Sequence, residues 1–219
     1  MAQEDWYTGT AEDARKEEGN PRRPEGAAGR AMLARMNESH AALVAWGLGQ
    51  LHFAPGDTVI DIGCGGGNML ARMAEHVTEG HLVGIDYAEA SVEASRSFNA
   101  QLIDAGRMDV LHGSVEDLPF SDGIFDKAVT VESFYFWPHP AENLKEVARI
   151  LRPGGTFLLL AEIYGKEDLS AHVRESVVKY DLFNPTPEEF RQLFSDAGFR
   201  EVHLHFADGK EWIAVLGER

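Results

Sequence analysis

The chain has 219 residues, a formal net charge of −16 at pH 7 and a sequence pI of about 4.9. This acidic balance argues against nucleic acids and anionic membranes as partners, because both attract basic protein surfaces. The single cysteine excludes an internal disulfide, and the sequence shows neither a signal peptide nor an apolar run of roughly 20 residues. We therefore expect one globular domain, located in the cytoplasm and not bound to a membrane.

The N-terminal part consists of a polar stretch followed by a helix. Residues 1–30 are rich in Glu, Arg, Gly and Pro, which is typical either of a frayed terminus or of a lid that orders over a ligand. Residues 28–51 carry apolar side chains at helical spacing. His40 lies beside that apolar stripe, as a packing residue or as a contact to substrate. We predict a lid segment and helix over 1–50 and the main domain over 51–219.

A predicted strand over 58–62 is followed directly by glycines at 63, 65, 66 and 67. Clustered glycines between a strand and a helix let backbone N–H groups approach a ligand closely, although a tight turn without a ligand is the simpler alternative. Dinucleotide sites place a third glycine three residues after the second, where this chain has Asn68. Asp61, near the end of the strand, would repel a diphosphate. The stretch therefore favours a ligand that is cationic or rich in N–H and O–H donors.

The next predicted strand, 81–86, ends in Asp86. This acid lies roughly 20 residues beyond Gly63, the spacing at which Rossmann-like folds place a carboxylate on ribose hydroxyls. Tyr87 follows, either packed on a base or exposed at the surface. A helix is expected over 91–102, with Val92, Ser95, Phe98 and Leu102 turned inward.

A second group of polar and aromatic residues follows the predicted strand over 125–131. Glu132 comes first, and residues 134–137 are four consecutive aromatics. The carboxyl ends of parallel strands border the ligand crevice of an α/β sheet, and ring faces attract sulfonium or ammonium cations. The alternative is that most of these rings belong to the core.

The other predicted elements of the central part are a strand over 108–112, a loop over 113–120, a helix over 141–151 and a strand over 156–161. The C-terminal part begins with a variable helical segment over 166–183. It continues with a helix that begins with a capping box at 186–189 and ends with strands over 199–206 and 211–216.

Together these motifs resemble the class I S-adenosylmethionine-dependent methyltransferases, in particular the small-molecule subgroup that includes ubiquinone and menaquinone methyltransferases. The matching motifs and residues are Asp-x-Gly-x-Gly-x-Gly at 61–67, Asp86, Leu-Pro-Phe at 118–120, the Glu132 region and Leu-Arg-Pro-Gly-Gly at 151–155. The resemblance implies an α/β, Rossmann-like fold with a seven-stranded, mostly parallel sheet. It also implies a C-terminal antiparallel strand pair, helices on both faces and an N-terminal helical lid.

The resemblance further implies roles for individual residues. Asp61 and Glu132 would bind the amino-acid end of the cofactor, and Asp86 would bind its ribose. The full predicted cofactor set is Asp61, Gly63, Cys64, Gly65, Gly67, Asp86, Tyr87, Ser114, Val115 and Glu132. Family members often have an acid where this chain has Ser114. The predicted acceptor contacts are His40, Tyr135, Trp137 and Tyr164.

The implied reaction is direct in-line transfer of a methyl group from S-adenosylmethionine to a small-molecule acceptor, with S-adenosylhomocysteine as product. A general base is needed only for a protonated acceptor, and the candidates are His40, Glu132, Tyr135 and His139. Two alternatives stay open: a nicotinamide-dependent reductase, and a protein that binds S-adenosylmethionine without catalysis. No metal site is predicted, because the nine histidines and one cysteine show no ligand-like spacing.

Overall fold

The computed structural model describes residues 20–219, except for the side chain of His172. Residues 1–19, which contain most of the predicted lid segment, lie outside the described residues. Within the described part, no helix is both long enough and apolar enough to cross a membrane.

A seven-stranded sheet forms the centre of the protein, in the order β3-β2-β1-β4-β5-β7-β6. Strands β1 to β5 run parallel, and β7 runs antiparallel to both β5 and β6. The predicted mostly parallel sheet with a C-terminal antiparallel pair is therefore confirmed. The strands are β1 (Thr58–Ile62), β2 (His81–Asp86), β3 (Met108–His112), β4 (Phe125–Val131), β5 (Leu151–Ala161), β6 (Arg200–Phe206) and β7 (Ile213–Glu218).

Helices cover both faces of the sheet, as predicted. The helices described are α1 (Gly26–Ser39), α2 (Ala41–Leu48), α3 (Asn68–Met73), α4 (Glu89–Phe98), α5 (Ala100–Asp104), α6 (Pro140–Ile150), α7 (Ala171–Tyr180) and α8 (Pro187–Asp196), with a 3-10 turn at Phe134–Phe136. Side chains of α6 and α8 pack in one core cluster with the aromatic residues after β4. Side chains of α2, α3 and α4 pack in a second cluster against the opposite face.

The prediction of one helix over 28–51 is wrong. The segment forms two helices that meet at His40, whose backbone lies at φ −85° and ψ 1°. Helix α1 packs on α4, whereas α2 packs on β5, and one straight helix could not lie along both. The break also places His40 at a bend over the ends of the central strands.

The prediction of one helix over 91–102 is also wrong. Helix α4 ends at Phe98, and Asn99 separates it from α5. The Asn99 amide donates to the carbonyl oxygens of Gly67 and Ser95, each at 3.1 Å. The interruption therefore holds the glycine turn, and it leaves Phe98 56% exposed rather than inward.

The last elements deviate from the prediction mainly at their ends. β5 begins at Leu151 rather than at 156, and a register shift between Phe125 and Lys127 accommodates the extra residues in its pairing with β4. The capping box is confirmed: the Glu189 N–H donates to the Thr186 hydroxyl at 3.2 Å, and the Thr186 N–H donates to the Glu189 carboxylate at 2.8 Å.

Candidate cofactor and acceptor site

A cavity of about 300 Å³ opens at the carboxyl ends of β1, β2 and β4, the edge at which α/β sheets bind ligands. The glycine turn, Asp86 and Glu132 form its floor on the sheet side. Helix α1 and the bend after it form the opposite wall, through Leu33, Met36, Asn37 and His40.

The glycine turn is fixed by backbone hydrogen bonds. The N–H groups of Gly63 and Cys64 both donate to the Ile85 carbonyl, at 2.8 and 3.1 Å. Gly63, Gly65 and Gly67 have φ values of 77°, 49° and 83°, which side chains with a Cβ rarely adopt. Asn37 on α1 donates to the Gly66 carbonyl at 3.0 Å. Because α1 contacts the turn directly, the wall and the floor of the cavity are joined.

Replacing Gly63 by alanine is expected to destabilise the protein more than the same change at Gly65. Both positions have positive φ, and that conformation costs alanine roughly 1–2 kcal/mol. At Gly63 a Cβ would also overlap the Ser133 hydroxyl, whereas at Gly65 the nearest atom is a Leu33 methyl at 3.9 Å. Denaturant unfolding of the two variants checks this order. Equal losses of unfolding free energy would contradict the close approach of Ser133.

Asp86 lies at the end of β2, and its carboxylate can accept further hydrogen bonds from a ligand. Its carboxylate accepts from the Gly65 and Ala88 N–H groups, each at 2.9 Å. Burial raises the pKa of Asp86, and hydrogen bonds from the two N–H groups and from the Ser91 side chain partly oppose that rise. A carboxylate has about four acceptor positions, so about one is free for a hydroxyl group of a ligand, and a second hydroxyl can take the position of Ser91, which also lines the cavity.

Asp61 is a buried acid that lacks a partner for one of its oxygens. It is 2% exposed, and its Oδ1 accepts no hydrogen bond within residues 20–219. Burial, followed by the nearby charge of Asp86, raises the pKa of Asp61 to about 8. An unsatisfied buried polar group is costly, so the side chain suits a ligand that brings an N–H donor or a positive charge.

Glu132 follows β4 in a left-handed conformation, with φ of 53°. Its Oε1 accepts from the Tyr135 hydroxyl and from the Glu162 N–H. Burial, together with the charge of Glu162, raises the pKa of Glu132 to about 8, although the Tyr135 hydrogen bond opposes the rise. Glu162 follows β5 and had no assigned role in the sequence analysis.

Most of the predicted site residues line this one cavity. The lining includes Asp61, Gly63, Cys64, Gly65, Asp86, Tyr87, Ser114, Val115 and Glu132 from the predicted cofactor set, and His40 and Trp137 from the predicted acceptor contacts. Burial lowers the pKa of His40, which favours the neutral ring. The sequence analysis missed Asn37 and Phe136, which also line the cavity.

Four predicted residues do not line the cavity. Gly67 faces Ser95 and Asn99 instead. The Tyr135 hydroxyl bonds Glu132, and its ring borders a neighbouring cleft. His139 is exposed, 4.0 Å from Glu116. Tyr164 packs against Phe206, with ring centroids 5.4 Å apart. Tyr135 lies in the 3-10 turn, and Gly67 and His139 directly precede helices α3 and α6, so local turns rather than residue spacing decide these placements.

A strap of residues 20–24 crosses the cavity, and Pro21, Arg22 and Pro24 line it. The Tyr87 hydroxyl donates to the Arg22 carbonyl, and the Arg22 guanidinium lies 5.5 Å from the centre of the Phe136 ring. The strap thus joins the end of β2 to the aromatic segment after β4. This is the described part of the predicted N-terminal lid.

Replacing Tyr87 by phenylalanine is expected to loosen the strap without disturbing the sheet. The change removes only the hydrogen bond to Arg22, which is worth about 1 kcal/mol, so affinity for S-adenosylhomocysteine should fall by several-fold. Isothermal titration calorimetry measures the loss. Tyr180→Phe on α7 is a matched control that should leave the affinity unchanged. Equal affinities for all three proteins would show that the strap does not close the site.

Comparison with known proteins assigns this geometry to a family. A model of the methyltransferase-domain family matches residues 60–159, the segment from β1 to β5 that carries the cavity floor. The chain is 24% identical to the uncharacterized methyltransferase YdaC of Bacillus subtilis, over 82% of this chain and 92% of that protein. It is 29% identical to the demethylmenaquinone methyltransferase of Symbiobacterium thermophilum, over 70% of this chain and 72% of the relative.

This chain is a class I S-adenosylmethionine-dependent methyltransferase. The 2-methyl-6-phytyl-1,4-hydroquinone methyltransferase 1 of Oryza sativa is another relative of this methyltransferase, 28% identical over 67% of this chain but only 42% of the plant protein. Among solved structures, the methyltransferase in complex with the Haloferax volcanii Trm112 activator superposes with a TM-score of 0.74 and 25% identity. That match covers 86% of this chain and 93% of the other.

The residues of this methyltransferase fit S-adenosylmethionine. The cofactor has no phosphate, so the buried Asp61 is compatible with it, and the unpartnered Asp61 oxygen suits an N–H donor. At Gly65 a Cβ would meet only a Leu33 methyl, at 3.9 Å, so the glycine leaves that space open. A diphosphate would face the buried acid at 61, which argues against the reductase alternative.

Proposed function

We propose that this methyltransferase transfers the methyl group directly to a small, unsaturated ring compound of the quinol type. The observation that carries the proposal is a single cavity with two chemically different ends. One end presents Asp61 and Asp86 beside the glycine turn. The other end is apolar and aromatic, with Met36, Phe136 and Trp137.

The first end suits the cofactor. In the proposal, Asp86 accepts hydrogen bonds from both ribose hydroxyls, and Asp61 binds the amino group. Tyr87, Ser114 and Val115 border the space for the adenine. When bound, S-adenosylmethionine supplies a methyl group that its positive sulfur has already activated.

The second end suits a flat acceptor. Phe136 and Trp137 offer ring surfaces, and the α1 wall covers the opposite side. By holding the attacking atom in line and excluding water, such walls can account for roughly 7–11 kcal/mol of the barrier. Two of the relatives are named for methylation of a hydroquinone and of demethylmenaquinone, which supports this acceptor class.

An acceptor screen tests the proposal. The full chain is incubated with S-adenosylmethionine and hydroquinones, catechols, amines or thiols, and release of S-adenosylhomocysteine is recorded. Turnover with the ring compounds is the expected result. Tight cofactor binding without turnover on any acceptor would favour a non-catalytic binding protein, and binding of reduced nicotinamide cofactor instead would favour the reductase.

Replacing Phe136 by leucine is expected to raise KM for the ring acceptor about tenfold, with a smaller loss of cofactor affinity because the contact of the Arg22 strap is also weakened. The substitution removes a ring surface from the acceptor end, and ring stacking is worth about 0.5–1.5 kcal/mol beyond the area buried. Phe206→Leu is the matched control, because Phe206 is 49% exposed on β6 and does not line the cavity. Steady-state kinetics of both variants measure the effect. An equal rise in KM in the two variants would contradict the placement of Phe136 at the acceptor end of the cavity.

A further inference from the structure

His40, Glu132 and Glu162 converge beside the cavity, which His40 and Glu132 line, although they come from distant parts of the chain. His40 stands at the bend between α1 and α2, Glu132 follows β4, and Glu162 follows β5. One atom from each side chain, an imidazole nitrogen or a carboxylate oxygen, lies within 4.8 Å of the other two. We propose that this cluster binds a first-row divalent metal ion, which in turn binds an oxygen atom of the methyl acceptor.

The carboxylates are oriented by hydrogen-bond donors that are not proposed ligand atoms, as ligating carboxylates are in metal sites. The Tyr135 hydroxyl donates to Oε1 of Glu132, as does the backbone N–H of Glu162. These bonds leave Oε2 of Glu132 to act as a ligand. The Trp212 side chain forms a hydrogen bond with the Glu162 carboxylate. Both carboxylates are therefore held in place by groups that would not themselves contact the ion.

His40 is in a suitable state to complete the site. Its ring borders the cavity, and no hydrogen bond to it is found within residues 20–219. Burial lowers the pKa of His40, which favours the neutral ring, the form that binds metal ions. A free ring nitrogen that faces two carboxylates is an arrangement that a cation would satisfy.

The charges of the neighbouring groups point the same way. Burial raises the pKa of both Glu132 and Glu162, and the charge of Glu162 also raises the pKa of Glu132. Lys210 offsets part of the charge at Glu162. A divalent ion would neutralise both carboxylates and so allow them to ionise together.

The three proposed ligands restrict which metal ion can bind and which acceptor can coordinate to it. One imidazole with two carboxylates suits Mn²⁺, Fe²⁺, Co²⁺ or Zn²⁺, whereas Mg²⁺ prefers oxygen ligands and keeps several waters. Three protein ligands leave coordination positions for two oxygens of one acceptor, such as a catechol or another ortho-hydroxy compound. This assignment moves Glu132 from the cofactor's amino-acid end to the acceptor side.

The ion would prepare the acceptor for the proposed transfer, and this second half of the inference rests on the proposed function. A coordinated hydroxyl has a lowered pKa and loses its proton to water. Its oxygen then forms a bond to the methyl carbon while the carbon–sulfur bond breaks, and that electron pair stays on sulfur. The products are the methylated oxygen and S-adenosylhomocysteine.

Metal titration of the chelator-treated full chain tests the site without methyl transfer. Co²⁺ absorption bands and Mn²⁺ electron paramagnetic resonance should each report one saturable equivalent, and added catechol should shift the Co²⁺ bands. His40→Ala and Glu162→Gln should each weaken Co²⁺ binding at least about tenfold. His205→Ala, which removes an exposed histidine on β6, should leave it unchanged.

Absence of saturable Co²⁺ binding overturns the proposal, as does binding that His40→Ala and Glu162→Gln leave intact. Titration of the same samples with S-adenosylhomocysteine shows separately whether each variant is folded and has its cofactor site. Failure of the unsubstituted chain to bind S-adenosylhomocysteine would instead contradict the proposed function.

Discussion

Replacing Asp86 by asparagine is expected to weaken S-adenosylmethionine binding by at least about 100-fold. A hydrogen bond to a charged group is worth about 1.5–3 kcal/mol, and in the proposed site the Asp86 carboxylate accepts two from the ribose hydroxyls. Asparagine keeps one acceptor oxygen but loses the charge. Isothermal titration calorimetry with S-adenosylmethionine and S-adenosylhomocysteine measures the loss.

Asp109→Asn is the control for this change. Asp109 lies on the neighbouring strand β3 and pairs with His81 at the surface, at 2.8 Å. Exposed pairs contribute little to stability, so this variant should bind the cofactor as the unsubstituted protein does. An Asp86→Asn protein that is folded and keeps its affinity within about twofold would show that the ribose lies elsewhere.

Replacing Asp61 by asparagine is expected to stabilise the cofactor-free protein at alkaline pH. The pKa of Asp61 is raised to about 8 in the folded state, whereas an aspartate in the unfolded chain titrates near pH 4. Between these values the folded state binds more protons, so stability falls as pH rises from about 4 to about 8. Asparagine cannot ionise and removes this loss.

The same substitution should have the opposite effect on cofactor binding. In the proposed site the positively charged amino group binds the ionised form of Asp61, so affinity of the unsubstituted protein should rise as pH increases from 5 toward 8. Asp61→Asn should bind weakly at every pH, without this rise. Thermal melts and calorimetry at pH 5 and pH 8.5 measure both effects, with Asp104→Asn on α5 as an exposed control. An Asp61→Asn protein that is less stable than the unsubstituted protein at pH 8.5 would contradict the raised pKa.

The cofactor end of the cavity could be predicted because its determinants are local in sequence. A strand, a glycine turn and a helix follow one another within 58–73, and the backbone of such a unit is set by short-range sterics and hydrogen bonds. Asp86 follows from the same logic, because β2 lies beside β1 in parallel register and its end reaches the same edge.

The acceptor end could be predicted only in part. The sequence places four aromatics after β4 and predicted Trp137 as an acceptor contact. It did not show that Phe136 would also line the cavity while the Tyr135 hydroxyl would bond Glu132. The left-handed turn at Glu132 and the 3-10 turn after it decide which ring faces which way. Neither conformation has a clear signal in residue spacing.

The sequence alone therefore determined the first strand, the glycine turn and Asp61, because each depends on neighbours in the chain, and the family resemblance implied the seven-stranded sheet and the role of Asp86. Only the tertiary structure decided that α1 ends in a bend at His40, that the strap reaches from Tyr87 to Phe136, and that His40, Glu132 and Glu162 lie together. The last two relations join residues more than 20 positions apart. Such contacts arise from the packing of whole helices on the sheet, and no local pattern records them.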